Sequence, residues 1–260
     1  DKKSIFRHLC SGKIIGVLTD ICMFPLIILM YCIKYWHIED VDKYFTRSNK
    51  QPLILVHGSG ANDAQWLISY LHLKNDYDVY TVQLNSLPAN LDDSLEKIKL
   101  KLDNKIKHII DNKIKHIINT TDTNSNKNKN NDPDSSKIIL VGHSMGGLIC
   151  ALSCEKYHKY IEKVITINTP WNGASMLKYI MFHTERHSDM LPGSLILTKC
   201  QKIIEDYNIP LVSSYNDYDL QVHKHDTIPK HIKNIEKVEF GCGHASPILF
   251  KKIWQKVGLI

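Results

Sequence analysis

Short, continuous apolar runs alternate along this chain with longer segments whose apolar residues fall at helical spacing. Leu53–His57 (LILVH) opens after Pro52 and stops at Gly58, the pattern of a strand buried on both faces. Asn62–Leu73 then spaces Trp66, Leu67, Tyr70 and Leu71 as one face of a helix would. Asp78–Leu84 predicts a second strand and Leu91–Ile118 a long lysine-rich helix. Lys137–Gly142 predicts a strand running into a helix from Met145 to about Tyr157. Lys163–Asn168, Pro210–Tyr215 and Val238–Phe240 complete the strands, and Ser246–Val257 reads as a terminal helix. Parallel strands need helical crossovers and are covered on both faces, so this alternation predicts an α/β protein with a mainly parallel sheet.

Several stretches break the alternation. Residues 14–33 (IIGVLTDICMFPLIILMYCI) form a 20-residue apolar run interrupted by Asp20 and Pro25. A helix of that length covers roughly 30 Å, the thickness of a bilayer's hydrocarbon core. Asp20 would cost about 2.5–3.5 kcal/mol near the centre of such a helix, against about −0.3 to −0.6 for each Ile or Leu. Lys2, Lys3, Arg7 and Lys13 precede the run, and no small-residue cleavage site follows it, unlike a cleaved signal peptide. Residues 1–38 are therefore expected to be an N-terminal apolar helix, either a membrane anchor or a lid-like helix packed on the domain. The first case gives a membrane-associated, single-pass protein and the second a cytoplasmic one. A polar connector at 39–51 leads into the main domain, residues 50–260. Inside it, NKIKHII occurs at 104–110 and again at 112–118; an eight-residue period does not match the helix repeat, so no solenoid follows. Residues 119–136 (NTTDTNSNKNKNNDPDSS) predict a disordered polar insert. Residues 171–208, longer than a plain crossover, predict a small cap.

Composition narrows the class. With 260 residues, 43% of them hydrophobic, the chain can bury a substantial core. The net charge of +6 comes from lysines gathered near 97–137 rather than from an arginine-rich face, and no nucleic-acid module is visible. The seven cysteines include no Cys-x-x-Cys pair and several lie in apolar runs, which predicts a reduced, intracellular protein without a disulfide framework. Glycine is scarce, 12 where average usage gives roughly 18. Seven of the 12 sit in three clusters: Gly58 and Gly60; Gly142, Gly146 and Gly147; Gly241 and Gly243.

Each cluster carries a chemical group. Gly142-His143-Ser144-Met145-Gly146-Gly147 lies between a strand and a helix, the context of a nucleophile elbow. Such a turn strains Ser144, needs small neighbours two residues either side, and points the first N–H groups of the helix at an incoming oxyanion. His143 is expected to point away into the structure. His57-Gly58-Ser59-Gly60 lets the N–H of Ser59 approach the same point as the N–H of Met145, although alone it would read as an ordinary turn. Gly241-Cys242-Gly243-His244 follows the last strand, and histidine is the usual base for a serine nucleophile. An acidic partner is expected after Pro210–Tyr215, where Asp217 and Asp219 compete and Asp226 is more distant. His183 and His187 are one helical turn apart but lack the His-Glu-x-x-His placement, and His223-Lys-His225 reads as polar surface, so no metal site is expected.

HGSG at 57–60, GHSMGG at 142–147, NTPWNG at 168–173, LPGS at 191–194, Asp219-x-x-Val222 and GCGH at 241–244 resemble the lipase and esterase branch of the α/β-hydrolase superfamily. The resemblance covers roughly 52–257. It implies the α/β-hydrolase fold, Ser144 as nucleophile, His244 as general base and acid, and Ser59 and Met145 as backbone oxyanion donors. The family's Asp-x-x-Val pattern selects Asp219 over Asp217. The polar insert before the elbow is a departure, and Trp171 stands where relatives often carry a smaller or polar residue. The expected activity is hydrolysis of carboxylic esters of lipids or other apolar acyl groups, without a cofactor. An acyltransferase or thioesterase would use the same triad, and a membrane-tethered binding protein on an inactive hydrolase fold is the non-enzymatic alternative. The expected partners are an apolar acyl-ester substrate and a membrane contacted through 14–33, not a nucleic acid.

Overall fold

A computed structural model of the chain describes residues 45, 50–84, 93–123, 137–179 and 184–260, together with Leu18, Asp20, Ile21 and Pro25. Among them, six strands form one parallel sheet: β1 (Pro52–Val56), β2 (Asp78–Val82), β3 (Ile138–His143), β4 (Ile161–Ile167), β5 (Leu211–Tyr215) and β6 (Ile235–Glu239). Their order is β2-β1-β3-β4-β5-β6, and every neighbouring pair is parallel. The connections are helical: α1 (Leu67–Leu73), α2 (Leu95–Thr123), α3 (Met145–Tyr157), α4 (Glu185–Asp189), α5 (Leu195–Asp206), α6 (Lys224–Thr227) and α7 (Lys251–Lys256).

The unbroken apolar strands now have their reason. Side chains alternate across a sheet, so Ile54, Val56, Ile138 and Leu140 enter one core with α2, α3 and α5. Leu53, Leu55, Ile139 and Val141 enter the opposite core with Trp66 and Trp254. Helix α3 is buried almost all round because it lies between the sheet and the flanking helices, which explains its lack of an amphipathic pattern.

The differences from the sequence pattern have local causes. The first expected helix begins with a 3-10 turn at Asp63–Trp66, where Asn62 caps the N–H of Ala64. The terminal helix splits into a 3-10 turn at Ser246–Leu249 and α7. Helix α2 continues to Thr123, five residues into the stretch expected to be disordered, because polar residues alone do not stop a helix; residues 124–136 lie outside those described. The stretch expected as a cap divides in two. Helix α5 is part of the core, burying Leu197, Cys200, Ile203 and Ile204 on the side of α3, while only the portion before it faces the site described below. Ile180, Met181 and Phe182 are outside the described residues. Trp171 is fully buried and donates from Nε1 to Thr166 Oγ1 at 3.2 Å, so it packs the core. Among the described residues no helix is long and apolar enough to cross a membrane; apart from Leu18, Asp20, Ile21 and Pro25, residues 14–33 lie outside them.

Leu148, on α3, is fully buried in the core, whereas Leu195 is 87% exposed. Leu148→Ala is expected to cost about 2–5 kcal/mol and to lower the melting temperature by roughly 4–20 °C. Leu195→Ala should stay within about 0.5 kcal/mol. Paired thermal denaturation curves check both.

Candidate active site

The sheet order reverses between β1 and β3: β2 lies beyond one, β4 to β6 beyond the other. Connections leave in opposite directions at such a point, opening a crevice outside the strands' carboxyl ends. Val56 pairs with Gly142, so His57-Gly58 and His143-Ser144 leave the sheet side by side.

Ser144 has φ 53° and ψ −125°, a conformation side chains rarely adopt. Its N–H donates to Ile167 O at 2.8 Å and its carbonyl accepts from Thr169 Oγ1 at 2.9 Å. The glycines around it are spatial necessities. A Cβ at Gly142 would lie 2.3 Å from Gly147 N, and one at Gly146 2.2 Å from Val56 O. Helix α3 starts at Met145, so its first N–H groups rise beside the serine. Gly58 brings the other loop in: a Cβ there would sit 3.0 Å from Ser144 Cβ. That loop is held by His57, whose Nε2 accepts from Leu84 N–H at 2.9 Å, leaving Nδ1–H to donate to Gly58 O at 2.9 Å.

His244 follows β6 on a loop and is 6% exposed. Its Nδ1–H donates to Asp219 Oδ2 at 2.6 Å. Asp219 Oδ1 accepts from the N–H groups of Gln221 and Val222 at 2.8 and 2.9 Å, which fixes the carboxylate. Asp217 instead pairs with Lys224 at 3.1 Å, towards solvent. Asp226 lies beside His225. Burial alone would lower the His244 pKa, but the charge and hydrogen bond of Asp219, with the charge of Asp20, outweigh it and raise it above the ordinary value. Burial likewise opposes ionisation of Asp219, and the His244 charge with the His244, Val222 and Gln221 hydrogen bonds reverses it, holding the carboxyl below its usual range.

Residues without an assigned role in the sequence support this loop. Asn168 Nδ2 donates to His244 O at 2.9 Å, and Asn216 Nδ2 to Gly243 O at 3.2 Å and Asn168 Oδ1 at 3.2 Å. His143 is buried, as expected, but does not point away from the site. Its Nε2–H donates to His244 O at 3.0 Å, and the two rings lie 5.0 Å apart between centroids. Burial, then the nearby His244, pushes the His143 pKa down to about 3, so it stays neutral. The only forewarning was position: Asn168 directly follows β4 and Asn216 directly follows β5, both at the carboxyl edge.

Ser59, Ser144 and His244 line one cavity of about 410 Å³. Its other walls are largely apolar, with Met176, Leu177, Met190, Leu220, Val222, Ile248 and Leu249, beside Asn62 and Gln65. Among the described residues no group of His, Cys, Asp or Glu could hold a metal ion. His183 lies outside them, and His223 and His225 stack on each other. Cys150, Cys154, Cys200 and Cys242 are buried free thiols.

A parallel sheet with a strained serine turn and a histidine–carboxylate pair at its carboxyl edge defines a lipase- and esterase-like α/β-hydrolase fold. Residues 47–186, more than half of the chain, match the PGAP1-like alpha/beta domain, and the protein belongs to that family. Among solved structures, the chain is similar to Bacillus licheniformis lipase BlEst2 in its mature form, with a TM-score of 0.55 at 13% identity over 81% of this chain and 91% of that one. It is also similar to an extracellular alpha/beta-hydrolase from a Paenibacillus species, with a TM-score of 0.54 at 16% identity over 80% and 97%. A lipase-esterase related protein from Clostridium acetobutylicum gives 0.50 at 18% identity over 79% and 92%. A comparison with curated proteins finds none that matches the sequence.

The electrostatics are checked by NMR titration of the histidine rings. The His244 imidazole should titrate above about 6.5, and Asp219→Asn should lower that midpoint while Asp217→Asn leaves it in place. His143 should show no titration above about pH 4, in keeping with its pKa of about 3.

Proposed function

We propose that the protein is a serine hydrolase that cleaves carboxylic esters of apolar acyl groups. The reading rests on one observation: the hydrogen-bonded line from Asp219 to His244 runs into the cavity that Ser144 also lines. Ser144 Oγ attacks the acyl carbon while His244 Nε2 takes its proton. The carbonyl oxygen becomes an oxyanion held by the N–H groups of Ser59 and Met145. Its collapse breaks the ester C–O bond, and His244 returns the proton to the leaving alkoxide. Water then attacks the acyl-enzyme with His244 again as base, releasing the acid and restoring Ser144. Asp219 keeps Nε2 free to accept by holding the proton on Nδ1, and its charge favours the imidazolium formed in each transition state.

A fluorophosphonate probe should label the native protein and not Ser144→Ala. Esterase activity of Ser144→Ala should fall about 10⁶-fold and that of Asp219→Asn about 10⁴-fold. Absence of labelling in the folded native protein would overturn the reading. Because protonated His244 cannot act as base and its pKa is raised, kcat/KM should climb with pH to a plateau, with a midpoint above about 6.5.

The apolar cavity wall supports an acyl rather than a polar substrate group. Each methylene buried there is worth about 0.8 kcal/mol, close to a fourfold gain per step. p-Nitrophenyl esters from acetate to octanoate should therefore rise in kcat/KM with chain length; a flat or falling series would remove the apolar preference. Association with a lipid surface through residues 14–33 belongs to the same proposal, on the length of the apolar run and the lysines before it. The full chain should bind vesicles containing anionic lipid at low salt, and an absence of binding would overturn this part.

A further inference from the structure

Asp20 is the acidic interruption in the N-terminal apolar run, and its side chain has a specific destination. Its Oδ2 accepts from the N–H of His244 at 2.7 Å, and its Oδ1 from the N–H of Ser246 at 3.2 Å. Gly243 makes the approach possible. A Cβ there would lie 2.2 Å from Asp20 Cγ, so the second glycine of the histidine loop is the space this carboxylate occupies.

The contact completes a clamp. The His244 carbonyl accepts from Asn168 and His143, its ring Nδ1–H is held by Asp219, and its N–H is the remaining polar group of its backbone. Asp20 takes that N–H, from 224 residues away in the chain. A carboxylate receiving two backbone N–H groups makes charge-assisted bonds roughly twice as strong as neutral ones. We propose that Asp20 is a positioning residue for His244: it fixes the backbone of the histidine loop, and with it the imidazole, for proton transfer from Ser144. This rests on the reading of His244 as the base. The charged and titratable groups facing the imidazole are Asp219, Asp20 and His143. Two carboxylates on one histidine favour the imidazolium that forms as Ser144 loses its proton.

A plain helix cap would serve only the 3-10 turn at Ser246–Leu249 and would not reach kcat or the pH profile. The full-length protein and its Asp20→Ala and Asp20→Asn variants are compared on p-nitrophenyl butyrate. In Asp20→Ala, kcat should fall about 10²-fold, the scale of a misplaced catalytic group, with KM changed less than about threefold. Asp20→Asn retains one acceptor oxygen and should recover part of kcat. Both variants should lower the midpoint of the kcat/KM–pH profile, since each removes a negative charge beside His244. A folded Asp20→Ala with unchanged kcat and unchanged midpoint overturns the proposal. If Asp20→Ala does not fold, Asp20→Asn decides it by the midpoint alone. If the native protein is not labelled by a fluorophosphonate, it is the hydrolase reading that fails. The NMR midpoint of His244 in native and Asp20→Asn protein then still decides the contact: a fall supports it and no change overturns it.

Discussion

Ser144 can hold φ 53° and ψ −125° only because the backbone packs around it where glycine alone fits. Holding such a conformation costs on the order of 1–3 kcal/mol, so the surroundings must over-determine it. They do so from three strands. Gly142 closes on Gly147 at the start of α3, Gly146 lies against β1 at Val56 and His57, and Ile167 at the end of β4 accepts the serine N–H. The same packing brings Gly58 against the serine side chain, so the loop carrying Ser59 is fixed by the serine turn itself. The serine turn and the proposed oxyanion loop are thus one rigid unit made of sheet.

The histidine and its acid have no comparable steric lock. Both sit on loops beyond β5 and β6, at the far side of the sheet from β1. Their placement is polar: Asn168 and Asn216 bridge from the ends of β4 and β5 to the histidine loop, His143 donates to it from beneath, and Asp20 holds its N–H. The two asparagines also bond to each other, so the ends of adjacent strands set the height of His244 above the sheet. Buried polar groups of this kind are costly unless satisfied, and here the two asparagines, Asp20 and His143 Nε2 all bond to the histidine loop.

That contrast explains what was legible in the sequence. The inner strands were, because a strand buried on both faces must be continuously apolar, whereas the edge strand β6 (IEKVE) is largely exposed and only its end stood out; the serine turn was, because its steric demands fall on residues within five of one another. His244 and Asp219 could be named from a family pattern in their loops, and the structure puts their side chains 2.6 Å apart. Asn168, Asn216 and Asp20 could not, since nothing local distinguishes an asparagine following a strand or an aspartate in an apolar run. His143 differs from expectation for a related reason: the turn does send its side chain inward, but inward at this edge means beneath His244. Polar composition is not a stop signal, and α2 needs only residues that tolerate helix to run on to Thr123. Helix α5 carries its apolar residues on one face, a pattern shared by caps and crossover helices, so sequence alone does not separate it from the cap expected at 171–208. Only packing against α3 decides between them.

The two modes of support also divide tolerance to change across the site. A steric lock fails abruptly: any Cβ at Gly146 meets backbone, which cannot retreat as a flexible side chain can. A polar clamp fails by degrees, since removing one of several hydrogen bonds leaves the others to hold the loop at a shifted position. Variation in rate is therefore expected to come from the residues around His244, and variation in substrate from the cavity wall. That wall is assembled from Met176, Leu177 and Met190 before α5, from Leu220 and Val222 beside Asp219, and from Ile248 and Leu249 after His244. Two of these three groups lie on the same loops that carry the proposed acid and base. A change in those loops that reshapes the cavity must therefore also disturb the histidine, whereas Met176, Leu177 and Met190 lie on neither loop, which makes them the positions where the proposed acyl preference can diverge at the least cost in turnover.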